Sequence, residues 1–371
     1  MGNHVTKKGK PFKLSLGSFS LIKGFAICII VFGHISQYFE IGRLTWFYPV
    51  FAVLNYLKTS FIPLFFIISG YGFKKGLPKA ILKKSAKSLI IPYLLVMAVF
   101  CMLFPLSTYF RTFDIKYSLH TMLQVFLGFL LGIPAAGKVL FGFKLSNCAI
   151  VWFLLALFWA QNILNSILKR KRIIEQIALV VGCAALGYIL CIYDMDFYCI
   201  PQGLIATTYC YIGYVLKKTK LIERGLPYRW MYFAWVILSA IYARWGYFDL
   251  CYGDFAFFPI DYVGVIFLAL LVLGVGLYVG RFEWKILELF KDAGTYSYWV
   301  LCLHSIEQKC LPWELFINMT REYPNEGFIL ALIIKVVIIS CGCMIIKRII
   351  KFTYRKKIRN YVRQKLYSGS D

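Results

Sequence analysis

No CxxC pair and no metal-ligand spacing occurs among the twelve cysteines of this 371-residue chain, so a cysteine-built metal centre is not expected. Acidic residues are scarce, 17 Asp and Glu against 42 Lys and Arg, and there are only four histidines. Low-complexity linkers and internal repeats are missing, and so is any stretch polar enough for a soluble domain. The apolar–polar alternation of a membrane β-barrel is also absent. What fills the chain instead is apolar: 60% hydrophobic and 18% aromatic residues, with mean hydropathy +0.69. Runs of about twenty apolar residues recur along it, long enough to cross a bilayer as helices. Membrane spans must satisfy their backbone internally. The expected fold class is therefore all-α, a polytopic transmembrane helix bundle.

The net charge of +25 does not point to nucleic acid. The lysines and arginines sit in short runs between apolar segments, the positive-inside pattern of a membrane protein. Ten spans are expected, at about 18–39, 47–73, 86–106, 149–168, 174–193, 198–216, 230–248, 258–280, 294–312 and 327–350. With both termini cytoplasmic, this count puts every basic cluster on the cytoplasmic side. If the apolar segment 119–134 also crossed, all later clusters would be reversed, so it is expected at the outer interface without crossing. No small-residue cleavage site follows the first apolar run, which reads as a retained helix. The expected organisation is a basic cytoplasmic segment at 1–17, a membrane domain at 18–350 and a basic cytoplasmic tail at 351–371. Most cysteines lie inside apolar runs as small packing residues. Cys148, Cys199, Cys251 and Cys310 lie near expected outer ends, where spacing leaves a disulfide open.

Four stretches could carry chemistry. In the first, "KGFAICIIVFGH", a lysine opens the first span and a histidine follows eleven residues on. Eleven steps of about 100° return to within about 20° of the start, so Lys23 and His34 share one helix face, roughly 16 Å apart. Ionisable groups at membrane depth lean functional, although a lysine near a helix end can snorkel. In the second, "PLFFIISGYGFKKG", Ser69, Gly70 and Tyr71 follow an aromatic run. The glycines would let a ligand or a neighbouring helix approach closely. In the third, Lys84 and Lys87 are three residues apart and would share a helix face. They read either as phosphate ligands or as an ordinary positive-inside flank. In the fourth, "GTYSYWVLCLHSIE", His304 and Glu307 are also three apart and could pair inside the membrane, either at a substrate or as a structural polar pair.

In this order and spacing the stretches resemble the acyltransferase 3 family of bacterial membrane acyltransferases. "IKGFAICIIVFGH" is similar to the family's opening block, and "FFIISGY" at 65–71 to its Ser-Gly block. "KSAKSLIIPY" at 84–93 is similar to its basic pair before an apolar-Pro-Tyr run. "VWFLLAL" at 151–157, "IPQGLIATTYCYIGYVLKK" and "GTYSYWVLCLH" resemble later blocks. The resemblance covers about 15–350 and the short form without a fused extracellular domain. Lysines stand at 23, 84 and 87 where the family carries arginines, which keeps the charge and loses the bidentate fork.

The resemblance implies an O-acyltransferase of the cell membrane that moves an acyl group, usually acetyl, from cytoplasmic acetyl-CoA to a hydroxyl of an exported or cell-surface carbohydrate. No metal is implied. His34 is expected as general base or as acyl relay, and Lys23 as a group that holds a phosphate or stabilises the developing oxyanion. Lys84, Lys87, Ser69, Gly70 and Tyr71 are expected at the CoA and its acyl group. Trp152 is expected at a sugar face or in the aromatic belt. A transporter or exporter with no acyl chemistry is the competing reading, since polytopic bundles with intramembrane His and Lys also move solutes.

Overall fold

The computed structural model describes residues 16–36, 38–39, 44, 46–223, 229–246, 248–282 and 284–367. Residues 1–15 of the expected N-terminal segment, and 368–371 of the expected tail, lie outside the described residues.

The described residues are mostly helical. The chain runs α1 (Leu16–Ser36), α2 (Tyr48–Gly72), α3 (Pro78–Ser85), a π-helical turn (Ala86–Ile90), α4 (Ile91–Thr112) and α5 (Ile115–Leu130). Then follow α6 (Trp152–Ile167), α7 (Ile173–Ile192), α8 (Ile200–Lys218), α9 (Arg229–Trp245) and α10 (Ile260–Val279). It ends with α11 (Lys285–Thr295), α12 (Ser297–Cys310), α13 (Trp313–Met319) and α14 (Pro324–Tyr367). The only strands among the described residues form two small hairpins, at 139–144 and 248–255.

Each of the ten expected spans falls on a helix. Among the described residues six helical segments are long and apolar enough to cross a membrane: 17–35, 78–112, 149–167, 173–192, 260–279 and 324–349. Segment 119–134 is mostly α5, whose start is capped by Asp114 accepting from the Tyr117 N–H at 3.0 Å. The basic stretch 281–291, between two expected spans, holds most of α11. That helix packs its length along α1. Both sides of the contact are glycines: a methyl on Gly24 would strike the Phe290 carbonyl, and one on Gly294 would strike the Ser20 carbonyl. A second crossing of this kind joins α2 to α8. A methyl on Gly70 would strike the Cys210 carbonyl, and one on Gly213 the Ile67 carbonyl. Small residues let helix backbones meet in this way where lipid supplies no hydrophobic drive.

All twelve cysteines are free thiols. Of the four near expected outer ends, Cys199 Sγ donates to the Gly132 carbonyl at 3.2 Å and Cys251 Sγ to the Pro134 carbonyl at 3.3 Å. The Cys148 N–H donates to the Ile133 carbonyl at 2.8 Å, so three of the four hold one loop. Lys138 closes the same region. It pairs with Asp196 and with Asp194, and lies 5.0 Å over the Phe197 ring. Burial pulls the Lys138 ammonium down, but the hydrogen bonds and charges of the two aspartates outweigh it and leave it raised.

Candidate active site

Helices α1 and α2 wall two cavities that meet end to end. The first, about 720 Å³, is lined from α1 by Lys23, Ile27 and Ile30, and from α2 by Ile62, Phe65, Ser69 and Tyr71. The α1 positions follow one another by four and three residues, and four more reach His34, so they form one helical stripe. The second cavity, about 320 Å³, takes up that stripe at Ile30, Gly33 and His34. Its other walls include Lys58 and Thr59 of α2, Asn147, Trp152, Asp249, Gln308 and Lys309. The expected shared face of Lys23 and His34 therefore exists, and it spans two cavities of different character. Burial pushes the Asp249 carboxyl up, against the Tyr252 and Cys251 backbone N–H groups that hold it down.

The polar residues Ser69 and Tyr71 near the end of α2 take different partners. The Ser69 hydroxyl accepts from Gln161 Nε2 at 3.1 Å, and the Tyr71 hydroxyl donates to Glu223 at 2.9 Å. Both residues line the first cavity. Gly70 does not, because the α8 backbone fills the space beside it. Its close approach is to a helix, which is one of the two uses its sequence left open. Trp152 is buried and reaches the second cavity.

Lys84 and Lys87 do not sit on a regular helix face. The π-helical turn takes over after Ser85, with the Ile91 N–H bonding back to Ala86. This wider turn rotates Lys87 away from the position a plain α-helix would give it. Both lysines are exposed and neither lines either of these two cavities. The cause lies in Pro92, which has no N–H to give the Ser88 carbonyl four residues back. The Tyr298 hydroxyl of α12 takes that carbonyl at 3.0 Å. Tyr298 also lines the first cavity, so the lysine-bearing turn is tied to the cavity wall.

At the other end of α12 the expected pair is present. His304 Nδ1 lies 2.6 Å from Glu307 Oε1, with both residues buried. Two further members join them. Lys335 of α14, fully buried, donates to the same oxygen at 2.7 Å. Trp313 Nε1 donates to Glu307 Oε2 at 3.1 Å, and Lys335 lies 5.0 Å over the Trp313 ring. A buried carboxylate needs such partners. The His304 and His34 rings lie with centroids 5.3 Å apart. His304 Nε2 is buried without a hydrogen-bond partner among the described residues. Gln308 Nε2 stands 3.4 Å from His34 Nδ1. Two imidazoles, one of them fixed by a carboxylate, are suited to taking up and passing a proton.

The sequence reading missed Lys335, Gln308, Gln161, Lys217 and Glu223. Lys335 had a signal, a lone lysine in "ALIIKVVIISC", but its partner lies 28 residues away. Lys217, whose Nζ lies 5.7 Å over the Tyr71 ring, read as an ordinary flank. Among the described residues no group of three or more His, Cys, Asp or Glu is placed to hold a metal ion.

A family model described as an acyltransferase domain matches residues 16–348. No curated protein and no solved structure matches the chain. With the match covering nearly the whole helical bundle and both of its cavities, the chain belongs to the acyltransferase 3 family of membrane acyltransferases.

Proposed function

We propose that the protein transfers an acyl group, acetyl above all, from cytoplasmic acetyl-CoA to a hydroxyl of an exported or cell-surface carbohydrate. The observation that carries this is one stripe of α1, with Lys23 in the first cavity and His34 in the second. Ten spans, with both termini in the cytoplasm and 119–134 not crossing, put the Lys23 end toward the cytoplasm. The membrane domain is then 18–350, between two basic segments.

The first cavity suits the thioester. Its wall is mainly apolar, as an acyl group and its linker require, and Lys23 and Lys217 supply charge at the cavity. Lys84 and Lys87, exposed on the adjoining turn, attract phosphates from the cytoplasm as point charges. The second cavity suits the acceptor, since Asn147, Asp249 and Gln308 offer the mixed donors and acceptors that hydroxyls need. Neutral His34 takes the proton of the acceptor hydroxyl as its oxygen attacks the thioester carbonyl. The C–S bond breaks, the ester forms, and the departing thiolate regains a proton. Gln308 orients the His34 ring, and His304, held by Glu307, stands beside it to accept charge. His34 could instead carry the acyl group covalently between the two cavities.

The test uses purified protein with acetyl-CoA, paired with mass spectrometry of surface glycans in cells with and without the gene. A 42-dalton increment is expected only with the gene. His34→Ala should lower transfer by about a hundred- to ten-thousand-fold while leaving folding intact. Solute movement with no acetyl-CoA consumed would replace this reading with that of a transporter.

A further inference from the structure

Two residues, and only two among those described, line both cavities: Ile30 of α1 and Ile62 of α2. They stand where the stripe passes from Lys23 to His34. Ile30 lies one helical turn before His34, about 6 Å along the axis. On α2 the residues on one side of Ile62, Phe65 and Ser69, face the first cavity, and those on the other side, Lys58 and Thr59, face the second. We propose that Ile30 and Ile62 form an aperture that sets the width of the acyl group the enzyme accepts. The proposal rests on the acyl-transfer reading of these cavities.

The physical case has three parts. A group held at the Lys23 end has to pass between these side chains to bring its carbonyl to His34. Isoleucine branches at Cβ and in a helix keeps one χ1 rotamer about nine times in ten, so neither side chain swings aside as leucine or methionine would. The wall also changes chemistry at this point, from Ile27, Phe65 and Ile68 to Lys58, Asn147 and Asp249. Apolar bulk pushed past the aperture would leave a matching wall for a polar one. Narrow, unbranched groups pass; branched ones are stopped.

Binding of non-reactive S-alkyl thioethers of CoA tests this without knowing the acceptor. The series is ethyl, propyl, isobutyl and neopentyl, measured by calorimetry on purified full-length protein. The unsubstituted protein should bind the neopentyl thioether at least about tenfold more weakly than the ethyl one, the range of penalty that overpacking brings. Ile30→Ala and Ile62→Ala should each bring that ratio to within about threefold, by removing the branch that obstructs. Ile68→Ala, which enlarges the first cavity alone, should leave the ratio unchanged. If an alanine variant does not fold, Ile30→Val and Ile62→Val should shift the ratio the same way by a smaller factor. An unchanged ratio in all Ile30 and Ile62 variants overturns the aperture and leaves acyl transfer standing. An equal shift in Ile68→Ala also overturns it, because selection would then belong to the whole cavity. If the unsubstituted protein binds no thioether at all, acyl-CoA use fails and the aperture with it.

Discussion

The two cavities are lined by the same four helices, α1, α2, α6 and α12, yet by different residue types. Against the first, α1 and α2 present Ile27, Ile62, Phe65 and Ile68, with Lys23 as the lone basic or acidic side chain from these helices. Against the second, the same two helices present His34, Lys58 and Thr59, and the rest of the wall adds Asn147, Asp249, Gln308 and Lys309. A helix that repeats the same 3.6-residue stripe can change partner chemistry along its length simply by changing residue type. An apolar chamber and a polar one placed in line suit two reactants that meet at their boundary. A single solute passing through would meet a wall that favours it in one half and opposes it in the other.

The largest blow to the polar end should come from Glu307→Ala. It strands Lys335 and His304, both buried, and breaking a buried charge pair costs about 3–5 kcal/mol. Thermal unfolding in detergent should show the loss. Adding Lys335→Met should restore part of the stability without restoring acyl transfer, which separates the structural share of this cluster from its chemical one. Next comes the junction behind the apolar end. Gly24→Ala drives a methyl into the Phe290 carbonyl, while Gly33→Ala, on the same helix at the second cavity, meets nothing within 4 Å. The first should cost about 1–3 kcal/mol or more by overpacking, and the second should leave the melting temperature nearly unchanged.

A smaller effect is expected at the rim of the first cavity. Lys84→Ala with Lys87→Ala should weaken acetyl-CoA binding by about threefold to thirtyfold, each exposed charge contributing up to about 1 kcal/mol. High salt should shrink the difference. Equal affinity at low salt would make these lysines orientation signals alone. The smallest effect is at Asp249, which keeps two backbone hydrogen bonds to its Oδ1. Burial raises its carboxyl, so the charged form is a burden to the fold at neutral pH that protonation relieves. Asp249→Asn should therefore be more stable than the parent at pH 8, with the gap closing as pH falls. A gap that widens on acidification would mean that the charge is favoured where it sits.

Much of this was written in the sequence. The helices follow from apolar runs, because in lipid a run of that length has few alternatives. Lys23 and His34 share a face because helical geometry leaves no choice, and His304 and Glu307 meet because three residues is one turn. What sequence could not supply was the third partner in each case. Lys335 reaches Glu307, and Tyr298 reaches Ser88, only through the packing of distant helices. The turn at 86–90 had a readable trigger in Pro92, but its form as a π-helix depends on Ser85 and Ser88 meeting α6 and α12. Gly70 shows the reverse difficulty. Its meaning as a site for close approach was plain, and only the structure says that the visitor is Cys210 of α8.

The paired glycines bear on how the molecule can move. Carriers that alternate between two faces do so by rocking or rolling one group of helices over another. Helices that touch through side chains can roll, because rotamers re-form as the surfaces slide. Where Gly24 meets Gly294, and where Gly70 meets Cys210 and Gly213 meets Ile67, it is backbone that touches, and a few degrees of rotation would bring a neighbouring side chain into the space only hydrogen fills. Each crossing acts as a keyway, locking α1 to α11 and α2 to α8 against rotation. Two of the four helices that line both cavities are thus each keyed to a neighbour.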